Sequence, residues 1–85
     1  MSYEKALQNA TLMIGTKQTT KAVEQGIARE LYVAKDADPK ITAKVVSLSR
    51  RSGIPIHYVD TMKQLGKACG IEVGAAMVAV VDKVQ

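Results

Sequence analysis

The run Ala76-Met77-Val78-Ala79-Val80-Val81 is apolar from end to end. A strand with one wet face alternates apolar and polar residues. A continuous run is the signature of a strand covered on both faces. The remaining segments offer the cover. Leu31-Tyr32-Val33-Ala34 and Ile54-Pro55-Ile56-His57-Tyr58-Val59 read as further strands. Pro55 cannot donate to a ladder, so it belongs at a strand start or a sheet edge. Leu12-Met13-Ile14 is a short apolar stretch ending at Gly15, a strand or chain end that feeds a helix. Strands that alternate with helices predict an α/β chain, a three-layer α/β/α sandwich around a small mixed central sheet.

The helices follow from spacing and end signals. Tyr3, Ala6, Leu7 and Ala10 recur at helical intervals behind Ser2, an N-cap residue. A second helix is expected from Thr16 or Lys17 to Gly26, its inward face made by Ala22, Val23 and Thr19. Asp38 before Pro39 is a cap followed by a proline suited to the first helical position. Ile41, Val45 and Leu48 then mark the buried face of a third helix ending at Gly53. Asp60 is expected to cap a fourth, which carries Met62, Leu65 and Cys69 and stops at Gly70.

The chain has 85 residues, room for a single domain over 1–85. It lacks Trp and Phe and has 3 Tyr, so an aliphatic core is expected. Lys and Arg outnumber Asp and Glu 12 to 8, a net charge of +4 that favours an anionic partner. The single cysteine, Cys69, excludes an internal disulfide, and with His57 as the single histidine no Cys/His zinc site can be built. No apolar run approaches membrane-spanning length and no leader opens the chain, so a cytoplasmic, soluble protein is expected. No cofactor and no metal are expected.

Chemistry concentrates in Gly15-Thr16-Lys17-Gln18-Thr19-Thr20-Lys21. The first N–H groups of a helix lack internal partners and carry the positive end of its dipole, which makes the end an anion site. Gly15 permits close backbone approach. Gln18 can pair with two points of a base edge. Lys17 and Lys21, four apart, share a helix face. The Gly-x-x-x-x-Gly-Lys spacing is missing, so this is not a P-loop. Gly66 reads as a tight packing site and Gly70 as a helix stop. In Ile71-Glu72-Val73-Gly74-Ala75, apolar residues on a loop either tuck into the core or wait for a ligand such as a splayed base. His57 reads as a satisfied strand histidine and Cys69 as a small buried hydrophobe. Arg50-Arg51 reads as a solvated helix end. Neither His57 nor Cys69 has an acid placed for a catalytic triad, so no catalytic residue is assigned and no enzyme is expected.

Three segments, Gly15 to Lys21, Val33 to Pro39 and Leu65 to Ile71, in this order and spacing, resemble the kink-turn-binding ribosomal-protein family (the L-seven-Ae family), most closely its small bacterial YbxF-like branch. The resemblance implies a sandwich that binds a sharply bent RNA, with two stems flanking a bulge, tandem sheared G·A pairs and an extruded nucleotide. The family's first motif is Gly-x-Asn-Glu-x-x-Lys. Gly15 and Lys21 match it, while Lys17 stands where Asn is usual and Gln18 where Glu is usual. Asp38 matches an acidic position near the extruded nucleotide, and Ile71 to Ala75 match the loop that covers it. Some relatives carry arginine where Val73 stands. The implied RNA-binding set is therefore Gly15, Thr16, Lys17, Gln18, Lys21, Asp38, Ile71, Glu72, Val73, Gly74 and Ala75.

The expected partner is a structured RNA holding a kink-turn, ribosomal or otherwise non-coding or regulatory, with no membrane partner and a monomeric protein. Two other classes stay open. One is a small α/β protein that binds a phosphate or nucleotide metabolite at the Gly15 turn. The other is a protein-interaction domain that uses the apolar loop.

Overall fold

The computed structural model describes Leu7 and residues 10–81. Of the expected first helix, Leu7 is helical and buried, and Ser2, Tyr3 and Ala6 lie outside the described residues. The elements run β1 (Thr11–Ile14), α1 (Thr16–Glu24), β2 (Ala28–Ala34), α2 (Pro39–Arg51), β3 (Ile56–Val59), α3 (Met62–Ala68) and β4 (Met77–Val81).

The four strands form one sheet in the order β1-β4-β2-β3. β4 is antiparallel to both β1 and β2, and β3 is parallel to β2. The continuous apolar run is thus an inner strand, as its sequence demands. Alternate residues serve opposite layers. Leu31, Val33, Met77, Ala79 and Val81 pack with Ala22, Val23 and Val45 on one face. Tyr32, Ala34 and Val78 pack with Leu7, Leu65 and Ala68 on the other. Helices α1 and α2 cover the first face and α3 the second, so the three-layer α/β/α sandwich with a mixed sheet is the observed architecture.

Pro55 stands just before β3, an edge strand. α1 ends on Gln25 with Gly26 at φ 74°, and its inward residues Thr19, Ala22 and Val23 are the ones expected. Burying a valine-sized side chain such as Val23 stabilises the fold by roughly 1.5–3 kcal/mol.

Several expectations are corrected. β2 begins at Ala28, three residues before the apolar run, and β3 begins at Ile56 rather than Ile54. On α2, Val45 is buried, but Ile41 is 44% exposed and Leu48 is half-buried. The buried row is Thr42, Val45 and Ser49, one position round the helix from the apolar row. The cap of α3 is Thr61, whose hydroxyl accepts the Gln64 N–H at 3.0 Å. Asp60 instead faces Lys35 in an exposed ion pair at 3.4 Å. The core is not purely aliphatic. Tyr32 is buried, and its ring stacks on His57, its register partner on β3, with centroids 4.8 Å apart.

Candidate functional site

The strand directions decide where the chemistry collects. β1, β2 and β3 all run one way, and β4 runs against them. Pairings Ile14↔Val78, Val33↔Met77 and Ala34↔Val59 therefore bring the ends of the first three strands beside the start of β4. Each of those strands leads into a helix, so the N-termini of α1, α2 and α3 share one end of the sheet. None has an acidic residue in its first turn. Their dipoles put partial positive charge at that end, where the carboxylates of Asp36, Asp38 and Asp60 also stand.

Two of these N-termini are closed by the protein itself. Asp38 caps α2, its carboxylate accepting the Lys40 N–H at 2.9 Å. α3 is capped by Thr61, and the Asp36 carboxylate accepts the Met62 N–H at 2.8 Å. α1 has no side-chain cap. Its N-cap is Gly15, and the first intrahelical bond runs from Thr19 N–H to the Gly15 carbonyl at 2.9 Å. The N–H groups of Thr16, Lys17 and Gln18 precede that bond and point beyond the helix end.

Gly15 adopts φ 98°, ψ 162°, a conformation open almost solely to glycine. A Cβ there would meet nothing within 4 Å, so conformation, not crowding, selects the residue and the space in front stays clear. The turn is held from behind. Gly15 N–H donates to the Met77 carbonyl at 3.1 Å. The Thr19 hydroxyl, fully buried, donates to the Met13 carbonyl at 3.2 Å. These bonds tie the first turn of α1 to β1 and β4. Thr16, Lys17, Gln18 and Lys21 are exposed in front of it.

Lys17 and Lys21 line one groove, together with Thr20, Glu24 and Lys44 of α2. Gln18 lies on the other side of Lys21, over a depression of about 220 Å³ that both residues line with Met13, Ala22, Gln25 and Ile27. Lys17 thus serves one flank of α1 and Gln18 the other, with Lys21 between them reaching both.

The loop before β4 approaches the same sheet end from the α3 side. Ala76 accepts the Ala34 N–H at 2.9 Å, and Ala75 N–H donates to the Met62 carbonyl at 3.0 Å. A Cβ at Gly66 would overlap the Val73 carbonyl oxygen, so this glycine is the tight packing site its sequence indicates. Gly74 lies against Met62 in the same way, a hypothetical Cβ falling 3.1 Å from the Met62 Cβ. The alternatives for the apolar loop residues divide between them. Ile71 packs on the core and Ala75 is buried. Val73 is 70% exposed, with Glu72 and Gly74 exposed on either side.

The structure places the residues of the implied RNA-binding set on helix starts and on the pre-β4 loop that lead into one end of the sheet. Ile71 and Ala75 turn inward as supports. Gly15, Thr16, Lys17, Gln18 and Lys21 stand on one flank, Glu72, Val73 and Gly74 on the other, and Asp38 at the start of α2. Sequence reading missed the reach of Asp36 from its turn to the first turn of α3, and Met62, which is 37% exposed beside the Val73–Gly74 loop. The signal for Asp36 was its place in Lys35-Asp36-Ala37-Asp38, where two carboxylates meet two helix starts.

Cys69 and His57 stand apart from this end's exposed groups. Burial pushes the Cys69 thiol above its ordinary range. His57 Nε2 pairs with the Glu30 carboxylate at 2.8 Å, as expected of a satisfied strand histidine. Among the described residues no cluster of three His, Cys, Asp or Glu side chains could hold a metal ion. No helix among them is long and apolar enough to cross a membrane.

These features define a small α/β domain with an uncapped, lysine-bearing helix N-terminus suited to an anionic ligand. The model of the ribosomal protein L7Ae/L30e/S12e/Gadd45 family matches residues 2–85, and the chain belongs to that family. It is 56% identical over 80 residues to an RNA-binding protein of Bacillus pumilus (strain SAFR-032), covering 94% of this chain and 98% of that one. It is 52% identical over 80 residues to the RNA-binding protein YbxF of Geobacillus stearothermophilus, covering 94% and 98%. A solved structure of a protein of unknown function from Bacillus halodurans C has the same fold, with TM-score 0.76 and 26% identity, covering 93% of this chain and 76% of that one.

Proposed function

We propose that this protein is an RNA-binding module, not an enzyme, and that its ligand is a kink-turn. The observation that carries the proposal is the open N-terminus of α1. Among the described residues it is the one helix start at the sheet end without a side-chain cap, and its Lys17, Gln18 and Lys21 are exposed. Membership of the family and the names of the bacterial relatives support RNA as the ligand.

In this reading α1 enters the groove at the tandem G·A pairs. The N–H groups of Thr16 to Gln18 and the ammonium groups of Lys17 and Lys21 meet phosphates, and the Gln18 amide meets a base edge. Val73 and Met62, exposed across the sheet end, offer apolar surface to an extruded nucleotide. Asp38 stands near that nucleotide, its carboxylate keeping acceptor capacity beyond its bond to Lys40. Ile71, Gly74 and Ala75 shape the loop from behind. A protein that binds the bent conformer alone shifts the RNA's equilibrium toward the bend.

The test is a gel-shift titration against a kink-turn RNA and against the same RNA with its G·A pairs replaced by Watson–Crick pairs. Preference for the first is expected. Equal affinity for both overturns the kink-turn reading. Strong thermal stabilisation by a mononucleotide without RNA replaces it with a metabolite-binding one.

A further inference from the structure

The groove on the Lys17–Lys21 flank of α1 has a second wall. About 470 Å³ in volume, it is lined by Lys17, Thr20, Lys21 and Glu24 of α1 and by Lys44 of α2. Three lysines face one glutamate there, and Glu24 lies at the far end of α1 from the open N-terminus. Two separate elements thus give one depression three cationic side chains against a single carboxylate, a net positive charge that attracts an anion.

Lys44 is also not isolated on its own helix. Lys40 lies one turn before it and Arg51 two turns after, all three within a narrow arc of α2. That arc is opposite the buried row Thr42, Val45 and Ser49, and all three residues are exposed. The row is roughly 16 Å long at the rise of an α-helix. No ion pair among the described residues uses Lys40, Lys44 or Arg51. Both α1 and α2 begin at the sheet end, so a polyanion held at the α1 N-terminus has a continuous cationic path from Lys17 and Lys21 across the groove to α2.

We infer that this path is a second binding track, which takes the phosphodiester backbone of an RNA stem flanking the element bound at the sheet end. This rests on the kink-turn reading above. The track contacts phosphates only, so it adds affinity and orientation without adding sequence preference. It also predicts a length requirement. The flanking stem has to extend past α1 to reach Lys44.

The experiment compares wild-type protein with the double variant Lys40→Ala/Lys44→Ala on three RNAs: a kink-turn with long stems on both sides, and the same kink-turn with each stem in turn trimmed close to the bend. Affinity is measured across a salt series. Both side chains are exposed, and a thermal melt checks that the variant keeps wild-type stability. On the long-stem RNA the variant is expected to bind several-fold more weakly, with its log–log salt slope reduced by about one per lysine. Trimming one of the two stems is expected to abolish the difference between variant and wild type. Unchanged affinity and slope on the long-stem RNA overturn the track while leaving the kink-turn reading intact. An equal loss on all three RNAs puts the lysines at the bend itself and also overturns the track. Wild-type protein that fails to prefer the kink-turn over its G·A-disrupted control removes the kink-turn reading, and the track with it.

Discussion

The Asp36 carboxylate reaches 26 residues along the chain to accept the backbone N–H of Met62 at 2.8 Å. It joins the loop after β2 to the first turn of α3, and through Met62 to the loop before β4, because the Met62 carbonyl accepts from Ala75 at 3.0 Å. One side chain joins the first two segments, and the Met62 backbone carries the link to the third. Asp36→Ala should cost about 1 kcal/mol, within the range for losing a helix cap. Asp60→Ala, which removes only an exposed ion pair, should change stability by less than about 1 kcal/mol. Urea unfolding of the two variants side by side checks the contrast. A larger loss at Asp60 would restore it as the cap of α3.

Gly15 should resist replacement for conformational reasons. Gly15→Ala forces an L side chain into a backbone region it rarely occupies, with a cost of about 1–3 kcal/mol. The open space at the position means that no clash adds to this. If the turn relaxes to relieve the strain, the first N–H groups of α1 re-aim and RNA affinity falls as well. Denaturation and binding measured on the same preparation test both parts, and a variant with wild-type values in each contradicts the account.

Gln18→Ala should weaken kink-turn binding by roughly 1–3 kcal/mol and leave binding to straight duplex unchanged. Lys21→Ala should instead weaken both RNAs alike and flatten the salt dependence, because phosphate contacts carry no sequence information. Competition titrations at two salt concentrations separate these outcomes. Equal losses on kinked and straight RNA for Gln18→Ala would remove it from base recognition.

Ser49 offers a prediction of the opposite sign. Its hydroxyl is fully buried in α2 without a hydrogen-bond partner. Ser49→Ala removes an unsatisfied polar atom and substitutes a better helix former, so stability should rise by about 1 kcal/mol. A lowered urea midpoint would mean that the hydroxyl has a partner after all.

Alkaline pH should destabilise the protein. Burial holds the Cys69 thiol above its ordinary value of 9.0. Burial, and then the Glu30 charge, hold the Tyr32 hydroxyl above its ordinary value of 10.0. In both cases the folded state keeps its proton more tightly than the unfolded chain does. The associated stability is complete below those ordinary values and is lost as pH rises through the higher folded ones. Unfolding free energies measured from neutral pH upward should therefore decline, and Cys69→Ala should remove the earlier part of that decline. A flat profile would show that neither group is perturbed.

Much of this was legible from residues. Ala76 to Val81 announced an inner strand because a run without polar interruption leaves no face for water. The glycine, hydroxyl and lysine pattern from Gly15 to Lys21 announced a helix start because each signal is local. What failed was decided at a distance. The row Ile41, Val45, Leu48 is the more apolar stripe of α2, yet the helix turns Thr42 and Ser49 inward because tertiary packing, not periodicity alone, sets its rotation. Asp60 and Thr61 are both good caps by type, and only the pairing of Asp60 with Lys35 and the reach of Asp36 decide between them. Tyr32 enters the core because β2 is an inner strand that turns it toward Leu7, Leu65 and Val78, a relationship that no single stretch of sequence contains. For the loop, composition could not say which of Ile71 and Val73 would turn outward.

The missing cap on α1 means that the free protein is unfinished at one place. Asp38 and Thr61 are built-in plugs; at Gly15 the socket is left empty, so an occupant becomes part of the helix's own wiring. Amide exchange at Thr16 to Gln18 would then report occupancy directly, fast in the free protein and slow in the complex. The cheapest way to disarm this protein would be to add to it, with a self-supplied acceptor that closes the open end of α1.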